Sequence, residues 1–360
     1  MEKEKIFYNA LNLITEANFP LLNNLYQKYH SFSLIYQNLE KENLPSKIIE
    51  RYRTIQPEKE YQKLKEKKIY LILIEEENYP QILKETNSPP LGLYLKTSLP
   101  IEKIFKEKLV LAIVGTRKAT KIGQEIAKKF AYEISSLGGT VVSGLAFGID
   151  KSAHLGALEG KGLTLAVLAN GLDSVYPQAN YSLAEKIIQK GALISEYPLN
   201  FPSLPFRFLE RNRIISGLSK GVLVVEAPSR SGALNTANYA LEENREVFAI
   251  PGSIFSKNSA GCNLLIQKGA KLTTKLEDIL EELKEQIDLE IISQKEEIEF
   301  NSPIEKKVFE FLKENEKGLE FDEILKKFNL SFQELLNILS SLEIKNLVKK
   351  VGGRWKIFDL

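Results

Sequence analysis

The sequence predicts an α/β protein whose central domain is built on a doubly wound, mainly parallel sheet. Six short apolar runs lie between residues 109 and 250, and segments with helical spacing separate them. The runs do not alternate apolar with polar residues, so each strand is expected to be buried on both faces beneath helices. This pattern is Rossmann-like. The expected strands are residues 109–114, 140–143, 163–168, 192–195, 221–225 and 246–250.

Length and composition suggest two or three domains in this chain of 360 residues, of which 43% are hydrophobic. Before the central domain, Leu21, Leu22, Leu25 and Tyr29 follow helical spacing, and a short strand-like run covers residues 70–74. The expected division is an N-terminal helical domain and connector over 1–100, the Rossmann-like domain over 101–275, an acidic linker over 276–300 and a winged-helix-like domain over 301–360.

The C-terminal segment predicts three helices, over residues 303–314, 320–328 and 331–345. A hairpin with a Gly352-Gly353 turn follows, and this order is typical of a winged helix-turn-helix. The third helix, which would be the recognition helix, is nearly neutral. A protein-binding role and an auxiliary DNA-binding role therefore both stay open for this domain.

Charge is distributed unevenly along the chain. Residues 101–275 carry 22 basic and 14 acidic side chains, whereas residues 276–300 carry 2 basic and 10 acidic ones. A basic domain is what polyanion binding needs, because each neutralised phosphate contributes through counterion release. An excess of this size also occurs in proteins that bind no polyanion.

Composition argues against several classes of site. The single cysteine, Cys262, excludes an intramolecular disulfide and a zinc site built from several thiolates. Only two histidines are present, which leaves little material for a histidine-based metal site, so we expect no metal. The chain begins without an apolar signal segment and has no run of about 18 apolar residues. We therefore expect a cytoplasmic protein without membrane insertion.

Three loops after the predicted strands could hold an anion at the edge where doubly wound sheets bind ligands. The first reads Gly115-Thr116-Arg117-Lys118, the second covers residues 143–150, and the third covers residues 228–234 with Arg230. Glycines allow close backbone approach, and the following helix offers free N–H groups. The dinucleotide fingerprint and the Walker A pattern are absent, which disfavours an NAD enzyme or a P-loop NTPase.

The densest cationic cluster is residues 206–213, where phenylalanine and arginine residues interleave. Aromatic rings can stack on bases, and guanidinium groups can hold phosphates. The alternative is a helix start whose phenylalanines pack in the core and whose arginines pair with Glu210. We expect Asp150 to cap a helix and His154 to be structural. Because no nucleophile and base accompany these loops, binding without catalysis is the simpler interpretation.

Six motifs of the central domain resemble, in order, those of the DNA-processing protein A family, also called DprA or Smf. They are Gly115-Thr116-Arg117, residues 143–150 with Ala153-His154, residues 170–173 with Tyr176-Pro177, and residues 211–219, 231–234 and 247–252.

The resemblance implies a homodimeric single-stranded DNA-binding protein of natural transformation (competence) and DNA recombination. Such a protein protects incoming DNA, helps load a RecA-type recombinase and needs no nucleotide cofactor. By motif position, Arg117, Arg211 and Arg213 would contact phosphate, Arg230 would supply a further cation, and Phe208 would stack on a base. The DNA-binding set expected on this basis is Gly115, Thr116, Arg117, Lys118, Phe208, Arg211, Asn212, Arg213, Arg230, Ser231 and Gly232.

Two other functions are weighed. A nucleotide-processing enzyme of the phosphoribohydrolase type would share the fold, but its Pro-Gly-Gly-type loop is absent from residues 228–232 and 251–253. A regulator that binds a specific duplex would use the C-terminal domain, and the nearly neutral recognition helix argues against that. We also expect residues 264–266 to contribute to a dimer.

Overall fold

The chain forms two compact units in a computed structural model, Met1–Ser293 and Gln294–Leu360. The structure describes residues 1–106, 109–284, 300–315, 318–345 and 347–357. No helix in these ranges combines the length and the apolar character that crossing a bilayer requires.

The first unit opens with a layer of short helices. Apolar residues at helical spacing form its core, with Tyr8, Leu11 and Ile14 fully buried on one face of the first helix. Asn18 caps the second helix by accepting a hydrogen bond from the Leu21 N–H. The helices are α1 (Glu2–Ile14), α2 (Phe19–Tyr29), α3 (Phe32–Asn38), α4 (Ser46–Thr54), α5 (Pro57–Glu66) and α6 (Gln81–Lys84).

A nine-stranded sheet is the centre of the first unit. Its spatial order is β1-β2-β6-β5-β4-β3-β7-β8-β9. β1 and β2 pair antiparallel with their neighbours, and β3 to β9 are all parallel. The strands are β1 (Tyr70–Leu73), β2 (Gly92–Lys96), β3 (Val110–Val114), β4 (Thr140–Ser143), β5 (Thr164–Val167), β6 (Gly191–Ser195), β7 (Gly221–Val224), β8 (Glu246–Ala249) and β9 (Lys271–Leu272).

The α/β class and the mainly parallel sheet are confirmed, and the six expected strands agree with β3 to β8 within one residue at each end. The sequence did not reveal β9, a two-residue strand at the edge of the sheet. The strand expected at residues 70–74 is β1. With β2, it joins the connector to the central sheet through the pairing of β2 with β6. The domain boundary near residue 100 stays a prediction.

Helices cover both faces of the sheet. Gly156 lets α8 approach α7 closely, because a Cβ at that position would lie 2.1 Å from the Lys128 carbonyl oxygen. The helices of this part are α7 (Lys121–Ser136), α8 (Ile149–Glu159), α9 (Tyr181–Gln189), α10 (Pro205–Gly217), α11 (Gly232–Glu242), α12 (Ala260–Gln267) and α13 (Leu276–Leu283).

The acidic segment expected to be a linker over 276–300 begins with a packed helix. Ile279, Leu280 and Leu283 of α13 are buried and join the hydrophobic cluster beneath α7. The first eight residues of the segment therefore belong to the first unit. Residues 285–299 lie outside the described residues.

The direction of chain progression reverses next to β3. From β3 the chain proceeds through β4, β5 and β6 on one side, and β7 then lies against the other side of β3 and leads to β8 and β9. The crevice at the carboxyl ends of β3 and β7 is therefore the topological switch point, where open α/β sheets bind their ligands.

The second unit contains α14 (Pro303–Lys313), β10 (Leu319–Glu320), α15 (Phe321–Phe328), α16 (Phe332–Ile344), β11 (Val348–Val351) and β12 (Arg354–Ile357). The three strands form an antiparallel sheet in the order β10-β12-β11, and both turn glycines have positive φ. The three helices and the hairpin lie within a few residues of the expected bounds, with β10 as an addition. The winged-helix assignment itself stays a prediction.

Candidate nucleic-acid interface

An open cavity of about 570 Å³ lies at the switch point. The loops that follow β3, β4, β5 and β7 and one face of α10 line it. Phe208, Arg211, Asn212 and Ile215 of α10 all face the cavity. Their spacing of three, four and seven residues places them on one helical face.

The rim of the cavity combines a cation with two aromatic rings. The exposed Arg117 guanidinium lies 4.8 Å from the centre of the Phe208 ring. The Tyr176 ring lies 5.5 Å from the same ring at 52°, and 47% of Tyr176 is exposed. The cation–π contact holds Arg117 beside the two rings. It does not neutralise the guanidinium, whose charge remains available to a phosphate.

The N-terminus of α11 forms another part of the cavity lining. The Ser231 hydroxyl caps the helix by accepting a hydrogen bond from the Ala233 N–H at 3.3 Å. The Arg230 side chain is exposed one residue before this cap. Gly232 faces open space, since a Cβ there would meet no atom within 4 Å. The partial positive charge of a helix N-terminus therefore adds to the charge of Arg230 in this part of the lining.

The floor of the cavity contains Arg211, which is 4% exposed. Its Nη1 donates to the carbonyl oxygens of Gly144, at 2.9 Å, and Val167, and its Nε donates to the Asn212 amide oxygen. Burial lowers the pKa of Arg211 to about 10, and the attraction of Asp150 opposes that shift. Arg211 lines the site, but most of its donors are already engaged by the protein.

Asp150 organises the loop after β4. The helix α8 begins at Ile149 with Gly148 as its N-cap, so the expectation that Asp150 caps this helix was wrong. The Asp150 carboxylate instead accepts hydrogen bonds from the Gly144 and Ala146 N–H groups, which precede the helix. Burial raises the pKa of Asp150, and the positive charge of Arg211 acts against that rise.

This loop holds a strained backbone in place. Leu145 has a φ of 55°, in the left-handed region that residues with a side chain rarely adopt. The Asn180 amide donates to the Leu145 carbonyl oxygen at 2.9 Å, and Asp150 binds the N–H groups on either side. The floor of the cavity is thus pre-organised by buried polar contacts.

The turn after β3 differs from the expected anion-binding turn. A Cβ on Gly115 would lie 2.4 Å from Ile149 and 2.8 Å from the Glu226 carbonyl oxygen, so this glycine is required by packing within the protein. Thr116 is buried, and its N–H donates to the same carbonyl oxygen at 2.7 Å. Arg117 and Lys118 are exposed, but only Arg117 faces the cavity.

The arginines of residues 206–213 are neighbours in sequence, but their side chains have different surroundings in the structure. Arg207 is buried among the rings of Tyr197, Phe201 and Phe206. Arg213 forms an ion pair with the buried Glu196.

The Arg213 Nη1 also donates to the Ser88 carbonyl oxygen at 2.6 Å. Arg213 therefore lies outside the cavity and attaches α10 to the connector, and we remove it from the proposed contact set. Glu210, the expected arginine partner, accepts a hydrogen bond from the Tyr197 hydroxyl instead.

The side chains of Asn212 and His154 make hydrogen bonds within the protein. The Asn212 amide donates to the Gly232 carbonyl oxygen at 3.2 Å, which joins α10 to the start of α11. His154 is fully buried, and its Nδ1 is hydrogen bonded to the Thr164 hydroxyl at 2.7 Å. Burial lowers the pKa of His154 to about 3, so the imidazole is neutral at physiological pH.

Glu226 is a functional candidate that the sequence did not reveal. Its carboxylate accepts hydrogen bonds from the Thr120 N–H at 2.9 Å and from the Thr120 hydroxyl at 2.5 Å, at the N-terminus of α7. A Cβ on Gly123 would lie 2.4 Å from the Glu226 carboxyl carbon. The helix terminus where a Rossmann fold usually receives a phosphate is therefore occupied by a carboxylate of this chain.

Comparison with known proteins gives a consistent result. The sequence profile of the family described as DNA recombination-mediator protein A matches residues 70–284. Protein Smf of Escherichia coli is 50% identical over 175 residues, which cover 48% of this chain and 47% of that protein. DNA processing protein DprA of Bacillus subtilis is 42% identical over 197 residues, covering 55% of this chain and 65% of that protein.

Solved structures agree with the sequence relatives. The X-ray structure of DprA from Streptococcus pneumoniae matches with a TM-score of 0.61 and 40% identity, covering 67% of this chain and 83% of that one. A structure of DprA from Helicobacter pylori, which addresses its single-stranded DNA binding mode, matches with a TM-score of 0.54 and 29% identity, over 61% of this chain and 97% of that one.

The match has a defined extent. The chain spans about half the length of the Escherichia coli relative and slightly less than two thirds of the Bacillus subtilis relative. Residues 70–284, which the family profile covers, contain the whole nine-stranded sheet and every residue that lines the cavity. The profile match covers more than half of the sequence, and the chain therefore belongs to the DNA recombination-mediator protein A family.

Proposed function

We propose that this protein binds single-stranded DNA in the cavity at the switch point and does so without catalysing a reaction. The observation that carries the proposal is the rim, where Arg117 lies over Phe208 beside the exposed Tyr176, in a cavity that Arg230 and the N-terminus of α11 also line. Cations bind the phosphates of a single strand, and aromatic rings stack on its bases without sequence preference. The relative from Helicobacter pylori supports the same ligand.

The proposed contact set is narrower than the sequence predicted. Arg117 and Arg230 contact phosphates, and Ser231 and Gly232 offer backbone N–H groups at the start of α11. Phe208 and Tyr176 form the aromatic surface. Because Arg117 covers the Phe208 ring in the free protein, a base reaches Phe208 only when Arg117 moves toward a phosphate, whereas Tyr176 is already open.

The nucleotide-processing alternative is not supported by the arrangement of charges. The carboxylate of Glu226 fills the N-terminus of α7, and like charge disfavours a nucleotide phosphate there. Release of ribose from nucleoside monophosphates is a direct assay for the alternative, and clear turnover by the purified protein would contradict our proposal.

The experiment is fluorescence anisotropy with a labelled oligothymidine at several salt concentrations. We expect Arg117→Ala to weaken binding about tenfold, because a charge-assisted contact to phosphate is lost. The slope of log affinity against log salt should shrink by about 0.7, the value for one phosphate of a single strand. Lys186→Ala is the matched control, since Lys186 is exposed at the last turn of α9, away from the cavity.

Two results would overturn the proposal. One is the absence of oligothymidine binding by the folded wild-type protein at low salt. The other is an Arg117→Ala variant with the affinity and salt slope of the wild type, since the DNA would then bind elsewhere.

We further propose the cellular role that the family suggests, in the cytoplasm during natural transformation. The protein would protect incoming single strands and help a RecA-type recombinase to assemble on them. A nuclease-protection assay measures the first activity, and the lag before DNA-dependent ATP hydrolysis by the recombinase measures the second. Unchanged strand lifetime and unchanged lag would remove this role and leave only DNA binding.

We also propose that the protein forms a homodimer through the outer face of α11 and α12. Leu241 and Leu264 are 56% and 38% exposed there, and both line a second cavity of about 530 Å³. An exposed apolar patch of this kind is typical of a protein–protein interface. Sedimentation of the wild type as a monomer at micromolar concentration would contradict the dimer.

A further inference from the structure

We propose that the loop of residues 251–259, after β8, carries a second base-stacking contact with Phe255 as the stacking residue. This platform would extend the path of a single strand beyond the cavity. The inference rests on the proposed function, because it concerns the same ligand.

Two large apolar side chains are exposed to solvent in this loop. Ile254 is 85% exposed and Phe255 is 92% exposed, and Phe255 is the most exposed large hydrophobic residue in the part of the chain that the structure describes. Apolar side chains displayed together, instead of packed in the core, are typical of a surface that meets a ligand.

The loop that displays them is fixed. The Asn263 side chain accepts a hydrogen bond from the Gly252 N–H and donates one to the Gly252 carbonyl oxygen. The Ser256 N–H donates to the Ser253 carbonyl oxygen, and the Ala227 N–H donates to the Asn258 carbonyl oxygen at 2.7 Å. Phe255 is therefore presented by a braced loop, which limits the entropy lost when a ligand binds.

Asn258 connects this loop to the rim of the cavity. Its amide donates to the Lys118 carbonyl oxygen at 3.0 Å, next to Arg117, and to the Glu226 carboxylate at 3.3 Å. β8 is the neighbour of β7, which lies beside β3. Adjacent strands are about 4.8 Å apart, so the carboxyl ends of β8 and β3 are separated by about 10 Å. A strand held by Arg117 can reach the loop.

The charges around the loop favour a polyanion with flat apolar groups. Lys118, Lys121 and Lys257 are exposed. Residues 115–121 and 251–259 contain no aspartate or glutamate. The Glu226 carboxylate also borders this patch, where it accepts hydrogen bonds from Thr120 and Asn258, so we expect the phosphates to lie on the side of the three lysines. Aromatic side chains within a basic groove are the pattern by which proteins bind single strands. Single-stranded DNA has phosphates for the lysines and flat bases for the Phe255 ring. An apolar protein segment would match only the apolar side chains.

The test compares two lengths of oligothymidine, of about four and about sixteen nucleotides, which are the limits of the site size known for one OB-fold domain. We expect Phe255→Ala to weaken binding of the longer oligonucleotide about tenfold and to change binding of the shorter one by less than about twofold. Tyr132→Ala is the matched control, because Tyr132 is 37% exposed in the middle of α7.

The two proposals fail in different ways. If the folded wild type binds neither oligonucleotide, the proposed function fails. If Arg117→Ala weakens both but Phe255→Ala binds the longer one like the wild type, only the second contact is overturned. An altered oligomeric state of Phe255→Ala with unchanged DNA affinity would assign the patch to a protein contact and would also overturn it.

Fluorescence gives a readout that a structural role would not move. The chain has one tryptophan, Trp355, which is 6% exposed, and its response to DNA is measured in the wild type and subtracted. In the Phe255→Trp variant, we expect the longer oligothymidine to quench the new fluorescence by stacking and the shorter one to leave it unchanged. Equal fluorescence with and without saturating longer oligonucleotide would overturn the contact.

Discussion

The rim and the floor of the cavity use the same residue type in opposite ways. Arg117 on the rim and Arg211 in the floor both lie near the Phe208 ring, with guanidinium carbons 4.8 and 5.9 Å from its centre. Arg117 is exposed, whereas Arg211 is 4% exposed and donates to the carbonyl oxygens of Gly144 and Val167.

The difference shows that a cation near a site is available to a ligand only when the protein has not already engaged it. Arg211 remains protonated at neutral pH, since its lowered pKa is still about 10. Its charge, however, compensates the buried Asp150, and its donors satisfy buried carbonyl oxygens. Moving it toward a phosphate would leave these groups unpaired, at a cost in stability.

The largest expected effect is on the floor. Arg211→Ala should lower the free energy of unfolding by about 3–5 kcal/mol, because it removes the cation that stabilises the buried Asp150 charge and leaves the carbonyl oxygens of Gly144 and Val167 without their donor. Arg117→Ala should change it by less than about 0.5 kcal/mol, as an exposed substitution does. Urea denaturation monitored by circular dichroism measures both.

Arg211→Lys is the control for charge against geometry. It keeps the positive charge near Asp150 but loses the planar set of donors, so its stability should lie between that of wild type and Arg211→Ala. Equal stability of the Arg117→Ala and Arg211→Ala variants would remove the distinction between rim and floor.

A smaller effect is expected from pH, through His154 beneath the floor. Burial lowers its pKa from 6.5 to about 3, so below pH 6.5 the unfolded chain binds a proton that the folded chain does not. Stability is therefore lost as pH falls from 6.5 toward 3, by at most about 1.4 kcal/mol per pH unit and by about 2 kcal/mol at pH 5. The His154→Gln variant should lose this contribution to the slope.

The wild-type protein is the reference for the His154→Gln variant. Denaturation midpoints between pH 7 and pH 5 measure the slopes. A His154→Gln variant with the wild-type slope would show that His154 is protonated in the folded protein in this range.

The fold could be predicted because its main signal is local in sequence. Each central strand is a short run of apolar residues, buried on both faces, and its ends are marked by turn residues such as Gly144 and Asn170. β9 was missed because Lys271 and Leu272 are too few to show a pattern. The packing of α13 was missed because the many acidic residues of this segment suggested a linker, although Ile279 and Leu283 form a buried face.

The candidate site could be predicted only in part. The turn carrying Arg117 and the loop carrying Arg230 follow strands, so the topology brings them together. The directions of Arg207, Arg211 and Arg213 depend on what α10 packs against, which their order in the sequence does not contain. The role of Glu226 could not be predicted, because this residue is far in sequence from the helix whose N-terminus it contacts.

The smallest effect tests whether the rim acts as one unit. Arg117→Ala should remove a phosphate contact, and Phe208→Ala should remove both a stacking surface and the ring that positions Arg117. If the guanidinium and the ring act together, the double variant should bind oligothymidine more tightly than the sum of the single losses predicts.

The expected coupling is about 0.5–1 kcal/mol, the range for a cation–π contact at an exposed site. Leu209→Ala combined with Arg117→Ala is the control, because Leu209 is 48% exposed beside Phe208 and lines the same cavity without a cation–π contact to Arg117. Additive losses for Arg117 and Phe208, equal to those of the control pair, would mean that each meets the DNA independently. The rim would then be a set of separate contacts, and pre-organisation would be confined to the floor, where Asp150 and Arg211 hold the loop after β4 in place.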